Sequence, residues 1–129
     1  MCKDMAKHND LGKWGEDEAA FFLEEEGYVI LERDFKVGAR DLDIIALSEH
    51  EDTLVFVEVK TRQNADMQSP AEAVDVKKVR NLAYAADVYI KRKKIDLEVR
   101  FDIVSVIGSE CAIQDVEHIE YAFNPMLVL

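Results

Sequence analysis

Apolar and polar positions alternate between two periods along this chain. From Asp10 to Glu26 the period is helical: Leu11, Gly15, Ala19, Phe22 and Leu23 form one stripe, and Asp17, Glu24 and Glu25 point away from it. Asn9 or Asp10 can cap the start, and Gly27 fits the position just past the end. The pattern then reads as three strands: Tyr28 to Phe35, Leu42 to Leu47, and Leu54 to Thr61. A turn at Val37-Gly38 and the polar stretch Ser48 to Asp52 separate them, and the second and third are rich in Ile, Val and Leu, as central strands are. After a polar loop, Ser69-Pro70-Ala71-Glu72 combines an N-cap, a proline at the first helical position and a capping box. The spacing predicts a helix from there to about Arg92, with Val76, Val79, Leu82, Ala83, Ala86 and Ile90 buried. Val99 to Ile107 reads as a fourth strand, and Asp115 to Tyr121 as a short edge strand. The order is α-β-β-β-α-β-β. Three successive strands suggest an antiparallel meander and the second helix a crossover, so the expected fold is an α/β mixed β-sheet flanked by helices.

The 129 residues fit one domain, expected over residues 10–129 behind a flexible terminus at 1–9. With 49% hydrophobic and 33% charged residues, the composition is that of a globular chain rather than a disordered one. No apolar run approaches the roughly 20 residues that span a bilayer, so no membrane association is expected. The polar start, Met1 to Asp10, lacks the apolar core of a secretory signal, which points to the cytoplasm. Cys2 and Cys111 read as free thiols in a reducing compartment, and His8, His50 and His118 as scattered surface histidines.

The formal net charge is −11, which argues against indiscriminate binding to a polyanion. Its distribution changes that picture: residues 77–100 hold eight basic side chains against three acidic ones, a local +5. A nucleic-acid face is therefore open to this chain, although such a charge run also fits a solvated helix face.

Strict alternation would place Asp41, Asp43 and Ile45 on one face of the second strand. On the third strand Leu54, Phe56, Glu58, Lys60 and Arg62 share a face, with Val55, Val57 and Val59 on the other. Charge at the ends of apolar strands is costly unless paired or coordinating a metal. Two readings follow. The acids belong to a solvated sheet face with Lys60 as their salt-bridge partner, or Asp43 and Glu58 hold a hard cation, Mg²⁺ or Mn²⁺, beside Lys60. The second arrangement suits phosphodiester hydrolysis, because the metal polarises a phosphate while a lysine orients water and neutralises developing charge. The backbone carbonyl of Val59 is a further ligand candidate. Glu16 lies on the border of the first helix's stripe and by itself reads as a helix-surface acid; Asp41 reads as a strand-edge acid, and Asp102 as a structural hydrogen-bonding group.

Gly12-x-x-Gly15-Glu16, Gly27-Tyr28, Asp41-Leu42-Asp43-Ile44-Ile45-Ala46, Phe56-Val57-Glu58-Val59-Lys60-Thr61-Arg62 and Arg100-Phe101-Asp102-Ile103-Val104 occur in one order. Together they resemble the YraN family of bacterial proteins, an uncharacterised, endonuclease-like group, over roughly residues 11–107. That family is similar to the restriction-endonuclease-like PD-(D/E)xK superfamily and, within it, to archaeal Holliday-junction resolvases. The resemblance implies metal ligands at Asp43 and Glu58, a catalytic lysine at Lys60, and Glu16 joining the site from the first helix. Two places depart from the family pattern: Arg40-Asp41-Leu42-Asp43 stands for Gly-Glu-Ile-Asp, and Met67-Gln68-Ser69-Pro70 for Phe-Gly-x-Pro.

The activity this implies is metal-dependent endonucleolytic cleavage of DNA, branched or structured DNA included. A non-cutting nucleic-acid-binding domain of the same fold and a protein-interaction domain are the alternatives. Arg62, Lys77, Lys78 and Arg80 are the expected phosphate contacts, with Lys91 to Lys94 facing away. Resolvases are dimers, and the apolar tail Met126-Leu127-Val128-Leu129 is suited either to a homodimer interface or to packing on its own core.

Overall fold

The computed structural model describes residues 8–63, 76–109 and 112–124. The element order is α1 (His8–Glu25), β1 (Val29–Val37), β2 (Arg40–Leu47), β3 (Thr53–Arg62), α2 (Val76–Lys93), β4 (Glu98–Ser109) and β5 (Ala112–Ile119). This is the expected α-β-β-β-α-β-β order. One five-stranded sheet runs β1-β2-β3-β4-β5 in spatial order. β1, β2 and β3 form the antiparallel meander, β4 lies parallel to β3 after the α2 crossover, and β5 returns antiparallel. The expected terminus at 1–9 falls largely outside the described residues, as do Cys2, Cys111, the Ser69-Pro70-Ala71-Glu72 start signal and the Met126–Leu129 tail.

The two helices cover opposite faces of the sheet. Trp14, Ala19, Ala20 and Leu23 of α1 pack on Ile44, Ala46, Val55, Val57, Val104 and Val106. Leu82, Ala85, Ala86 and Tyr89 of α2 pack on Leu42, Ile45, Leu54, Phe56 and Phe101. The β3 alternation explains this division: its odd-numbered valines face α1, while Leu54 and Phe56 face α2. Phe56 is 1% exposed and stacks on Phe101 with ring centroids 5.3 Å apart, so its burial stabilises by roughly 1.5–3 kcal/mol. α1 ends at Gly27, which takes a φ of 96° while its N–H donates to the carbonyl of Glu24.

Several expectations need correction. Val76 is half exposed in the first described turn of α2, whereas Tyr89, an amphipathic ring, is buried. β5 ends at Ile119, and Tyr121 lies in a turn with a φ of 53°, its backbone N–H donating to Asp102 at 3.1 Å. His118 is not a surface histidine. Its side chain is 11% exposed and its Nε2 lies 2.6 Å from Asp102 Oδ2.

Strict alternation also fails on β2. Leu42 and Ile45 both face α2, while Ile44 faces α1. β1 changes face at the same level: Arg33 bonds Asp17 of α1, and Phe35 packs against Tyr89 of α2. The pairs Arg33–Ile44 and Phe35–Leu42 put Asp34 directly across from Asp43. Asp34 has a φ of 52°, a conformation aspartate tolerates better than most side chains. The kink in these two strands therefore centres on two facing acids.

Candidate metal centre

The β2–β3 ladder stops at the Ile44–Val57 pair, one residue short of Asp43 and Glu58. Beyond it the Val59 N–H donates to Asp43 Oδ2 at 2.8 Å, so a carboxylate takes the place of a backbone acceptor. This bond fixes Asp43 at the mouth of the splayed strands.

α1 brings Glu16 to the same point. Gly15 makes this possible: a Cβ there would stand 1.9 Å from Thr61 Oγ1 and 2.9 Å from Thr61 Cβ. Only glycine lets α1 lie this close to β3. As a result, one carboxylate oxygen from each of Glu16, Asp34 and Asp43 falls within 4.8 Å of the others. Glu58 is outside that group, on the α2 side of Asp43. It is 5% exposed, and its Oε1 lies 3.4 Å from Lys60 Nζ and 3.4 Å from Lys78 Nζ. Glu16 Oε1 and Glu58 Oε2 are buried without a hydrogen-bond partner.

The electrostatics follow from this crowding. Burial, then the Glu58 charge, pushes Asp43 up to about 7, against the lowering effect of the Val59 N–H and Lys78. Glu16 is also pushed up to about 7, by burial, a hydrogen bond with Asp34 and the charge of Asp43. Burial disfavours the charged Lys78 ammonium, but the Glu58 and Asp43 carboxylates outweigh it and raise its pKa. Carboxylates held together against repulsion, two of them with unpartnered buried oxygens, form a donor set suited to a hard divalent cation.

Sequence reasoning named Glu16, Asp43, Glu58 and Lys60, and the fold brings all four to one end of the sheet. It missed Asp34, which reads as an ordinary strand acid without the kink. It assigned Lys78 to the nucleic-acid face, whereas the structure turns Lys78 inward onto Glu58. A signal for that was present: Lys78 precedes Leu82 by four residues and Ala85 by seven, so it continues the buried stripe of α2. Of the other expected phosphate contacts, Lys77 and Arg80 are exposed on α2, and Arg62 leans on β4 with its guanidinium 3.4 Å from Ser105 Oγ. Asp41 is exposed and lies 3.8 Å from Lys36.

Asp102 does not belong to this centre. It is fully buried on β4, where it accepts from Arg100 Nε at 2.9 Å and from the Tyr121 N–H, and Arg100 also bonds the Tyr28 hydroxyl. The cluster ties α1's C-terminal turn, β4, β5 and the following turn together. A cavity of about 850 Å³ also opens away from the carboxylates, between α2 and the start of β4, lined by Tyr84, Phe101, Tyr121 and Phe123 among others. It is mostly apolar and holds none of the carboxylates or lysines of the centre. No helix among the described residues is long and apolar enough to cross a membrane.

Comparison with known proteins adds the following. A UPF0102 protein of Bacteroides thetaiotaomicron is 49% identical over 123 residues, covering 95% of this chain and 99% of that protein. A UPF0102 protein of Phocaeicola vulgatus is 43% identical over 121 residues, covering 94% and 98%. Among solved structures, Pyrococcus furiosus SfsA in complex with Ca²⁺ aligns at 16% identity with a TM-score of 0.30, over 85% of this chain and 62% of that one, a likeness too remote to carry a functional argument. The family model described as uncharacterised protein family UPF0102 matches residues 15–106, a span from Gly15 into β4 that includes all the carboxylates and lysines of the centre. With that match and these relatives, the chain belongs to UPF0102, the YraN family.

Proposed function

We propose that this centre binds a divalent cation, Mg²⁺ or Mn²⁺, and hydrolyses phosphodiester bonds in DNA, branched or structured DNA being the preferred class. The observation that carries the reading is Glu58. It is a buried carboxylate with one oxygen between two lysines and the other without a partner, next to the half-buried Asp43, which is pushed toward neutrality. A solvated sheet face would not bury Glu58. The donor set fits the cation. Asp43 and Glu58 would hold it, with Glu16 and Asp34 contributing from the α1 side. A divalent cation bound there supplies Lewis acidity to the phosphate and acidifies water.

The chain's own residues do the rest. The Val59 N–H keeps Asp43 in one orientation. Lys60 fixes Glu58 and carries a positive charge to the place where the phosphate gains negative charge during attack. Lys77 and Arg80, exposed on α2, and Arg62 at the end of β3 are the candidate contacts to the DNA backbone, which would fix its register without reading sequence. Cleavage assays on four-way junctions, flaps and single strands with Mg²⁺ present test this reading. The wild type should cut at least one of them, and Lys60→Met should cut it about 10²-fold more slowly or worse. Cutting that Lys60→Met leaves unchanged would overturn it. DNA binding without cutting would instead identify a binding domain.

A further inference from the structure

The proposed centre has two unequal halves on either side of Asp43. On the α1 side Glu16, Asp34 and Asp43 present three oxygens within 4.8 Å of one another. On the α2 side Asp43 feels the charge of Glu58, but that half also contains two ammonium groups, each 3.4 Å from the same Glu58 oxygen. In a two-metal phosphodiesterase, a central carboxylate shared between flanking acids would bridge two cations about 3.5–4 Å apart. Here the position beside Glu58 is taken by lysines from two different elements, β3 and α2. The charges agree with that geometry. Four carboxylates and two ammonium groups, when ionised, leave the centre with the charge that a single divalent cation neutralises. The nearest charges outside this set have partners of their own: Arg33 is paired with Asp17 at 2.7 Å, and Asp41 lies 3.8 Å from Lys36.

We propose that Lys78 is a positioning residue that, with Lys60, holds Glu58 by Oε1 and limits the centre to one divalent cation. This rests on the metal-binding reading above and adds its stoichiometry and the residue that sets it. Lys78 acts through Glu58: clamping one oxygen leaves Oε2 as the atom available to a cation, and the ammonium occupies the space and supplies the charge of a second ion. The same contact couples α2, which carries Lys77 and Arg80, to the carboxylates.

Calorimetric titration of the full chain with Mn²⁺ tests the proposal without reference to cleavage. The wild type should bind one Mn²⁺. Lys78→Met, which keeps the length of the side chain and removes its charge, should bind two, and Lys78→Arg should return to one. Lys78 is about one-third exposed, so Lys78→Gln gives a second neutral variant for the same comparison should the Met variant fold poorly. Two ions in the wild type, or one in both neutral variants, would overturn the role given to Lys78 while leaving the metal centre in place. No Mn²⁺ uptake by the wild type would overturn both.

Discussion

Asp43 is half-buried beside Glu58 yet fixed by the Val59 N–H. Its pKa is raised from the usual aspartate range to about 7, so the folded protein holds that proton more tightly than the unfolded chain does. Linkage then gives the sign. Without metal, this residue's contribution to stability is best below about pH 4 and declines as pH rises to about 7. Asp43→Asn cannot ionise, so urea unfolding across that range should show a flatter pH profile for the variant than for the wild type. Parallel profiles would show that Asp43 is not the source. Asp102 is the contrasting case: it is fully buried, but Arg100, His118 and the Tyr121 N–H surround it. Asp102→Ala leaves the buried Arg100 guanidinium with the exposed Glu120, 3.0 Å away, as its carboxylate partner and should cost about 3 kcal/mol in urea unfolding, while the folded fraction keeps its affinity for Mn²⁺. The sequence pointed correctly to a structural role for Asp102, since an acid inside Phe101-Asp102-Ile103-Val104 has to be paired. It pointed wrongly for His118, whose partner is 16 residues away and cannot be inferred from local pattern.

At the scale of elements, the two glycines of the α1 motif have opposite roles. Gly12 has open space where a Cβ would go, so Gly12→Ala should stabilise the helix by about 0.5–1 kcal/mol. Gly15 lies against Thr61, and Gly15→Ala should cost about 1–3 kcal/mol and weaken Mn²⁺ binding as α1 and Glu16 are pushed from β3. Thr61→Ala in the Gly15→Ala background removes the Oγ1 and Cγ2 clashes and should recover part of both effects; thermal melts and Mn²⁺ titrations of the three variants check this. The order of elements, the meander with its crossover and the two apolar faces of β3 were legible in the sequence because each follows from periodicity along whole elements. The kink at Asp34 and Asp43 was not. A face change takes one residue with a φ of 52°, and an aspartate that adopts it looks in sequence like any polar strand residue. Asp34 therefore entered the centre only with the structure, whereas the motif resemblance had already indicated Glu16.

For the whole molecule, the net charge of −11 should keep DNA affinity low and strongly salt-dependent, with binding confined to a local basic surface. Lys77 and Arg80 lie on the same helix as Lys78, close to the centre, while Lys91 is held by Asp87 at 2.9 Å near the far end of α2. Replacing Lys77 and Arg80 by alanine should weaken DNA binding across sequences and reduce the salt slope by about one unit for each phosphate that is no longer neutralised; replacing Lys91 and Lys93 should do little. Equal effects in a salt titration by fluorescence anisotropy would contradict a local face. All of this depends on the carboxylates forming a metal centre, which thermal unfolding with and without Mg²⁺ tests most directly. At a Mg²⁺ concentration about 100-fold above its dissociation constant the wild type should gain about 2.7 kcal/mol, a rise in Tm of several degrees, and Asp43→Asn with Glu58→Gln should gain none. A wild-type Tm that does not respond to Mg²⁺ or Mn²⁺, or a rise that the double variant shares in full, would contradict the account.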